Sequence, residues 1–197
     1  SAVGKKIYVW RARSGKLEHA IDAEISVAPI AFCPENKSLA VAGYASGARV
    51  YDIATGAVQY EIPFAHKRRE IYFSPTGRFL CFIDWNGTVT AVNLSNSLIF
   101  RSFEHGKEFK YLRFSQDEKY LLTGVGDKEL KVWDFKSEVV LNSLKRESVW
   151  DDAQFSASSS IIYTTSDSKF STWMWNHIDL LDEAQKRIVD CDLTQKK

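Results

Sequence analysis

YLRFSQDEKYLLTGVGDKELKVWDF, residues 111–135, is the stretch on which the fold turns. Two short apolar runs, Tyr120-Leu121-Leu122 and Leu130-Lys131-Val132-Trp133, are separated by the turn Gly124-Val125-Gly126-Asp127-Lys128, and Phe114-Ser115-Gln116-Asp117 precedes them. Short runs bounded by turn residues make a meander of strands. None of its residues forms a recognisable catalytic centre, so what matters is whether the pattern recurs.

It does. Phe114 has counterparts at Phe32, Phe73 and Phe155, each 41 residues from the next. A second landmark keeps the same interval: Trp10-Arg11, Tyr51-Asp52, Val92-Asn93 and Trp133-Asp134, with Trp173-Met174 following after 40. Two independent landmarks on one spacing mark an internal repeat. In the third unit, strand a runs over Glu70 to Ser74, strand b over Phe79 to Ile83, strand c over Thr88 to Leu94 and strand d over Leu98 to Phe103. Pro75-Thr76-Gly77, Asn86-Gly87 and Ser95-Asn96 supply the turns. Four short strands cannot bury both of their faces alone, so neighbouring sheets must stack, and the expectation is a β-propeller. The four phenylalanines are expected to lie in strand a and to be buried at equivalent positions.

The pattern resembles the WD40 family, with its repeat of about 40–45 residues and a Trp-Asp closing strand c. The resemblance implies an all-β partial propeller of about four to five four-stranded antiparallel blades: 1–24 as a partial blade lacking strand a, then 25–65, 66–106, 107–147 and 148–176. It further implies that His105, Thr123, Asp127 and Trp133 form the structural hydrogen-bond network of one blade. Tyr51 and Val92 stand where the other blades would carry Trp, so the network is expected in that blade only. The tail, 177–197, leaves the repeat. Ile178, Leu181, Ala184 and Ile188 recur at helical spacing, with acidic residues early and Lys186 and Arg187 late, which predicts a helix over about 177 to 190 packed on the propeller through Ile178, Leu181 and Ile188. Trp173, Trp175, Asp179, Leu180, Ala184, Arg187, Leu193 and Thr194 resemble the ending of large bacterial WD40-repeat proteins, many of which carry a NACHT-type nucleotide switch or another signalling module upstream.

Bulk properties narrow the function. Net charge is +1, from 26 basic and 25 acidic side chains, which gives no electrostatic case for nucleic acid or a membrane surface. No apolar run approaches the ~18 residues of a membrane span. Cys33, Cys81 and Cys191 lack paired spacing, which argues against a disulfide framework or zinc site and for a reducing cytoplasm. His19, His66, His105 and His177 fall in different repeats without ligand spacing, and there is no phosphate loop or nucleophile elbow. No cofactor or metal site is therefore expected. Asp151-Asp152 are read as charges at the start of strand a, and Trp150, which coincides in the repeat with Phe109 and Val27, as core.

Two features stand out for recognition. The basic run His66-Lys67-Arg68-Arg69 falls between strand d of one blade and strand a of the next, and Trp85 occupies a turn normally built of small polar residues. Lys67, Arg68, Arg69 and Trp85 compose a candidate partner-binding patch, cationic beside an aromatic anchor. The expectation is a non-enzymatic protein-recognition or scaffold module, the C-terminal part of a larger bacterial WD40-repeat signalling or sensor protein. It would engage a protein partner or another domain of its own full-length chain. The rival readings are a propeller enzyme, for which no convergent polar set is found, and nucleic-acid binding through the basic run.

Overall fold

The computed structural model describes residues 2–23, 27–35, 37–43, 47–64, 68–96, 98–104, 109–125, 128–145, 150–166 and 169–175. The expected helix at 177–190, along with His66, Lys67, His105 and Asp127, lies outside the described residues.

The described chain is all-β, arranged as antiparallel sheets in sequence order. Sheet 1 holds β1 (Ala2–Val3), β2 (Lys6–Arg11) and β3 (Lys16–Asp22). Sheet 2 holds β4 (Val27–Phe32), β5 (Ser38–Gly43), β6 (Ala48–Asp52) and β7 (Val58–Ile62). Sheet 3 comprises β8 (Arg68–Phe73), β9 (Phe79–Asp84), β10 (Thr88–Asn93) and β11 (Leu98–Glu104). Sheet 4 comprises β12 (Phe109–Phe114), β13 (Tyr120–Val125), β14 (Glu129–Asp134) and β15 (Val140–Lys145), and sheet 5 β16 (Asp152–Phe155), β17 (Ile161–Ser166) and β18 (Lys169–Met174). Two compact units divide the chain, Ser1–Phe109 and Lys110–Lys197.

Within the first unit the sheets stack through two apolar layers. Ile7, Ile21 and Ala23 pack on Leu39, Val41 and Tyr51, joining sheets 1 and 2. Ala40, Ala42, Val50 and Ile62 pack on Ile71, Leu80, Phe82 and Val92, joining sheets 2 and 3. Odd and even residues of β5 thus serve opposite layers, which is why Leu39 to Ala42 are all fully buried. In the second unit Tyr111, Leu122, Leu130 and Val132 of sheet 4 meet Trp150, Ala153, Ile162 and Trp175. Trp150 and Phe109 are core, as their place in the repeat predicts.

The 41-residue spacing reaches into details of the backbone. In the pairing of strands c and d the register slips between Val9 and Trp10, Val50 and Tyr51, Ala91 and Val92, and Val132 and Trp133. At each slip the outer strand carries one extra residue, a bulge that adds local twist beside the landmark position. The a–b turn has a left-handed residue at Gly77 (φ 72), Glu118 (φ 58) and Ser159 (φ 62). The last residue of strand c caps the c–d turn: Asp52 Oδ1 accepts from Thr55 N at 2.8 Å, Asn93 Oδ1 from Ser95 N at 3.0 Å, and Asp134 Oδ1 from Ser137 N at 2.6 Å.

One expectation needs correcting. Phe32, Phe73, Phe114 and Phe155 do end their strands, yet none is fully buried, and Phe32 is 49% exposed. The ring sits at the last strand position, where cover comes from one side; Phe114, for example, meets Phe135 edge-on at 5.0 Å. The fully covered site is the small residue that follows. Ser74 and Ser115 are 0% exposed and Ser156 8%. Their hydroxyls close the a–b turn by accepting from Phe79 N (3.0 Å), Tyr120 N (2.9 Å) and Ile161 N (3.2 Å).

Candidate recognition site

The b–c turn of sheet 3 is built to present Trp85. Asp84 Oδ1 accepts from the backbone N–H of Asn86 and of Thr88, both at 2.9 Å, and Gly87 N donates to Asp84 O at 3.1 Å. Gly87 adopts φ 82, a conformation that costs glycine nothing. With its carboxylate spent on the turn, Asp84 locks the backbone on both sides of Trp85. The indole projects outward and is 62% exposed, among the most exposed large apolar side chains described.

The start of β8 lies at the same end of the sheet, because Arg68 is in register with Asp84. This brings Arg69 to Trp85: the guanidinium carbon lies 5.9 Å from the centre of the indole. Contacts of this kind contribute about 0.5–1 kcal/mol at exposed sites. Arg69 is held elsewhere as well. Its Nη1 donates to Phe109 O at 3.0 Å and its Nε lies 3.5 Å from Glu70 Oε1. Glu70 in turn accepts from the Tyr72 hydroxyl. Of the patch expected from sequence, Arg69 and Trp85 therefore meet directly and Arg68 is placed beside them by its backbone. Arg69 is also engaged by a carbonyl and a carboxylate of its own chain.

Of the expected structural network, the described residues contain Thr123 and Trp133. Trp133 Nε1 donates to Thr123 Oγ1 at 2.9 Å in sheet 4. The same bond occurs in sheet 5, where Trp173 Nε1 donates to Thr164 Oγ1 at 2.9 Å, so the Trp–Thr pair is not confined to one blade. Thr164 lies 41 residues after Thr123, and applying the repeat interval to that threonine would have found it. In sheet 2 the landmark Tyr51 is buried and its hydroxyl donates to Ala23 O at 2.8 Å, while Val92 in sheet 3 is buried without a polar group. Asp152, of the Asp151-Asp152 pair, forms an ion pair with Arg113 Nη2 at 3.2 Å, an exposed bridge between the first strands of sheets 4 and 5. Sequence reading also missed the clamp by Asp84, whose signal is the Asp-x-Asn-Gly order of an Asx-stabilised turn.

The WD40 family, described as "WD domain, G-beta repeat", matches residues 98–134, which span β11 to β14 and include Thr123, Trp133 and Asp134. The chain thus carries a WD40 repeat. It is 36% identical over 64 residues to human apoptotic protease-activating factor 1, a match covering 32% of this chain and 5% of that protein. It is 25% identical over 150 residues to pre-mRNA-processing factor 17 of human and of mouse, covering 72% of this chain and 26% of each. The chain therefore spans about a quarter or less of the relatives it matches. WD40 repeats generally mediate protein interaction and scaffolding. Among the described residues no helix is long and apolar enough to cross a membrane.

Proposed function

We propose that this chain is a non-enzymatic protein-recognition module and that the end of sheet 3 carrying Trp85 is where it binds. The observation that supports this most is a large aromatic side chain, 62% exposed, standing on a turn that its neighbours have made rigid. An isolated exposed apolar residue needs no explanation, but ordering an anchor in advance removes entropy that binding would otherwise cost. Lys67, Arg68 and Arg69 outnumber Glu70 along the adjoining segment, which favours an acidic protein surface as partner. The partner is a separate protein or another domain of a longer chain. That such a chain is a bacterial signalling or sensor protein is supported by the resemblance of the tail to the endings of that group.

The test is selection of binders from a displayed peptide library against the full chain, followed by affinity measurement on Trp85→Ala. Loss of at least ~2 kcal/mol, mostly through faster dissociation, is expected of a central anchor. Binders that ignore Trp85→Ala would remove the site from this role. Binding of unrelated DNA or RNA that falls steeply with salt would favour the nucleic-acid reading instead.

A further inference from the structure

We propose that Arg69 is the positioning and specificity residue of this patch: it braces the Trp85 indole from one side, leaves the open side to an apolar side chain set among carboxylates, and turns away basic segments. The inference deepens the proposed function and rests on it.

Consider first what Arg69 is not free to do. Its Nη1 is 3.0 Å from Phe109 O, its Nε 3.5 Å from Glu70 Oε1, and its side chain is 37% exposed. An arginine tied down by a carbonyl and a carboxylate cannot swing out to meet an acidic partner without breaking both. It can, however, hold its planar group against the indole at 5.9 Å. The anchor then has two supports of different kinds. Asp84 fixes the backbone of the turn, and Arg69 biases the χ angles of the ring. Neither support needs the partner to be present.

Bracing has a chemical consequence. An indole face attracts cations because its π density is negative, and a guanidinium on one face draws that density toward itself. The remaining face is less attractive to a second Lys or Arg side chain and remains a flat apolar surface. Lys67 and Arg68 precede Arg69 in the sequence and carry charge of the same sign. A segment with an aliphatic or proline side chain to lie on the ring, and Asp or Glu to either side, satisfies both demands. A purely acidic segment fills only the charged half, and a basic segment is opposed on each count.

The experiment uses the full chain and three fluorescent peptides of equal length. One carries Leu and Pro among Asp and Glu, one carries Leu and Pro among Lys and Arg, and one carries Asp and Glu alone. Anisotropy titrations at fixed ionic strength give three affinities for the wild type, Trp85→Ala, Arg69→Gln and Arg69→Lys. The informative quantity is the ratio between the acidic-apolar and basic-apolar peptides, because a partly unfolded variant lowers both affinities together and leaves the ratio alone. Arg69→Gln removes the cation from the indole while keeping a polar side chain; it is expected to cut the ratio about two- to fivefold. Arg69→Lys keeps the charge and loses the planar group, so it should retain most of the ratio while a fluorine label on Trp85 reports a less ordered ring. A ratio unchanged in Arg69→Gln, with binding still lost in Trp85→Ala, would overturn the role of Arg69 and leave the recognition site standing. Peptides that bind equally well to Trp85→Ala would overturn both.

Discussion

Sheets 2 and 4 solve one problem in two ways. Each must hold strand c in the middle of a sheet, and each uses the aromatic residue that ends it. In sheet 4, Trp133 reaches across its own sheet to Thr123, ten residues back, and the bond begins and ends within one blade. In sheet 2, Tyr51 reaches out of its sheet to the carbonyl of Ala23, 28 residues back, in the segment that follows sheet 1. The first device makes a blade self-sufficient, whereas the second ties a blade to its predecessor. A loss in the landmark pattern at Tyr51 is therefore a change of partner, and the contact it gains is between sheets.

The contrast can be broken most severely at Trp133. Replacing it with Ala removes a side chain 7% exposed together with its hydrogen bond, and should destabilise the second unit by about 3–5 kcal/mol. Hydrogen exchange should show the opening centred on β13 and β14; exchange spread equally over sheet 2 would contradict a self-contained anchor. Tyr51→Phe is the matching test for sheet 2. It keeps the ring and deletes the hydroxyl, leaving Ala23 O with Arg49 Nη1 at 3.2 Å as its side-chain donor, at a cost of about 0.5–1.5 kcal/mol. Here amides of both sheet 1 and sheet 2 should exchange faster. Protection lost in sheet 2 alone would mean that the tyrosine does not couple them.

A smaller effect separates the a–b turns. Gly77, Glu118 and Ser159 share a left-handed conformation, but only glycine adopts it freely. Glu118→Gly should stabilise sheet 4 by about 0.5 kcal/mol in a urea titration, the relief of strain being partly offset by the greater freedom of glycine in the unfolded chain. The reverse change, Gly77→Ala, is destabilising for two reasons, since a Cβ there would also lie 2.6 Å from Cys33 Sγ. Destabilisation by Glu118→Gly would show that its turn is not strained.

The smallest expected effect distinguishes the c–d turns by pH. The Asp52 carboxylate is held below its ordinary range by hydrogen bonds from the backbone and hydroxyl of Thr55, and that of Asp134 by the Ser137 hydroxyl and backbone. For a depressed carboxylate the unfolded chain takes up the proton first. The contribution is thus complete above the ordinary carboxylate pKa of about 3.9 and fades as acid protonates the folded form below it. Sheet 3 has Asn93 at this position and no titration to lose. Hydrogen exchange between neutral and acidic pH should loosen the turns after β6 and β14 before the one after β10. Simultaneous loosening of all three would refute the assignment.

How much of this was legible beforehand follows from the range of each interaction. Strand order, turn positions and the landmark pair at Trp133 follow from spacing, because residues 41 apart occupy equivalent places whatever their chemistry. The serine after Phe73, Phe114 and Phe155 was nearly as regular, Cys33 following Phe32, but was passed over, because its importance lies in being small and hydroxylated under a turn rather than in being apolar. The bond from Tyr51 to Ala23 was not legible, since it joins one blade to a segment between blades. Nor was the restraint on Arg69: Glu70 is its neighbour in sequence, but Phe109 O lies 40 residues away and is an unremarkable backbone oxygen. The basic run advertised charge and concealed that part of it was spent.

The bulge beside each landmark residue bears on a hazard that repetition creates. Hairpins of one design, laid out at one interval, offer outer strands with unpaired backbone groups, the usual template for joining chains edge to edge. In β3, β7, β11 and β15 the ladder to the inner neighbour breaks once, always at the equivalent step, and the strand twists there. A foreign strand laid alongside would keep register for only one or two residues before that break and three or four after it. The irregularity that shapes each blade also makes its rim a poor seed for aggregation, so a protein made of near-copies is kept from polymerising through the feature its copies share.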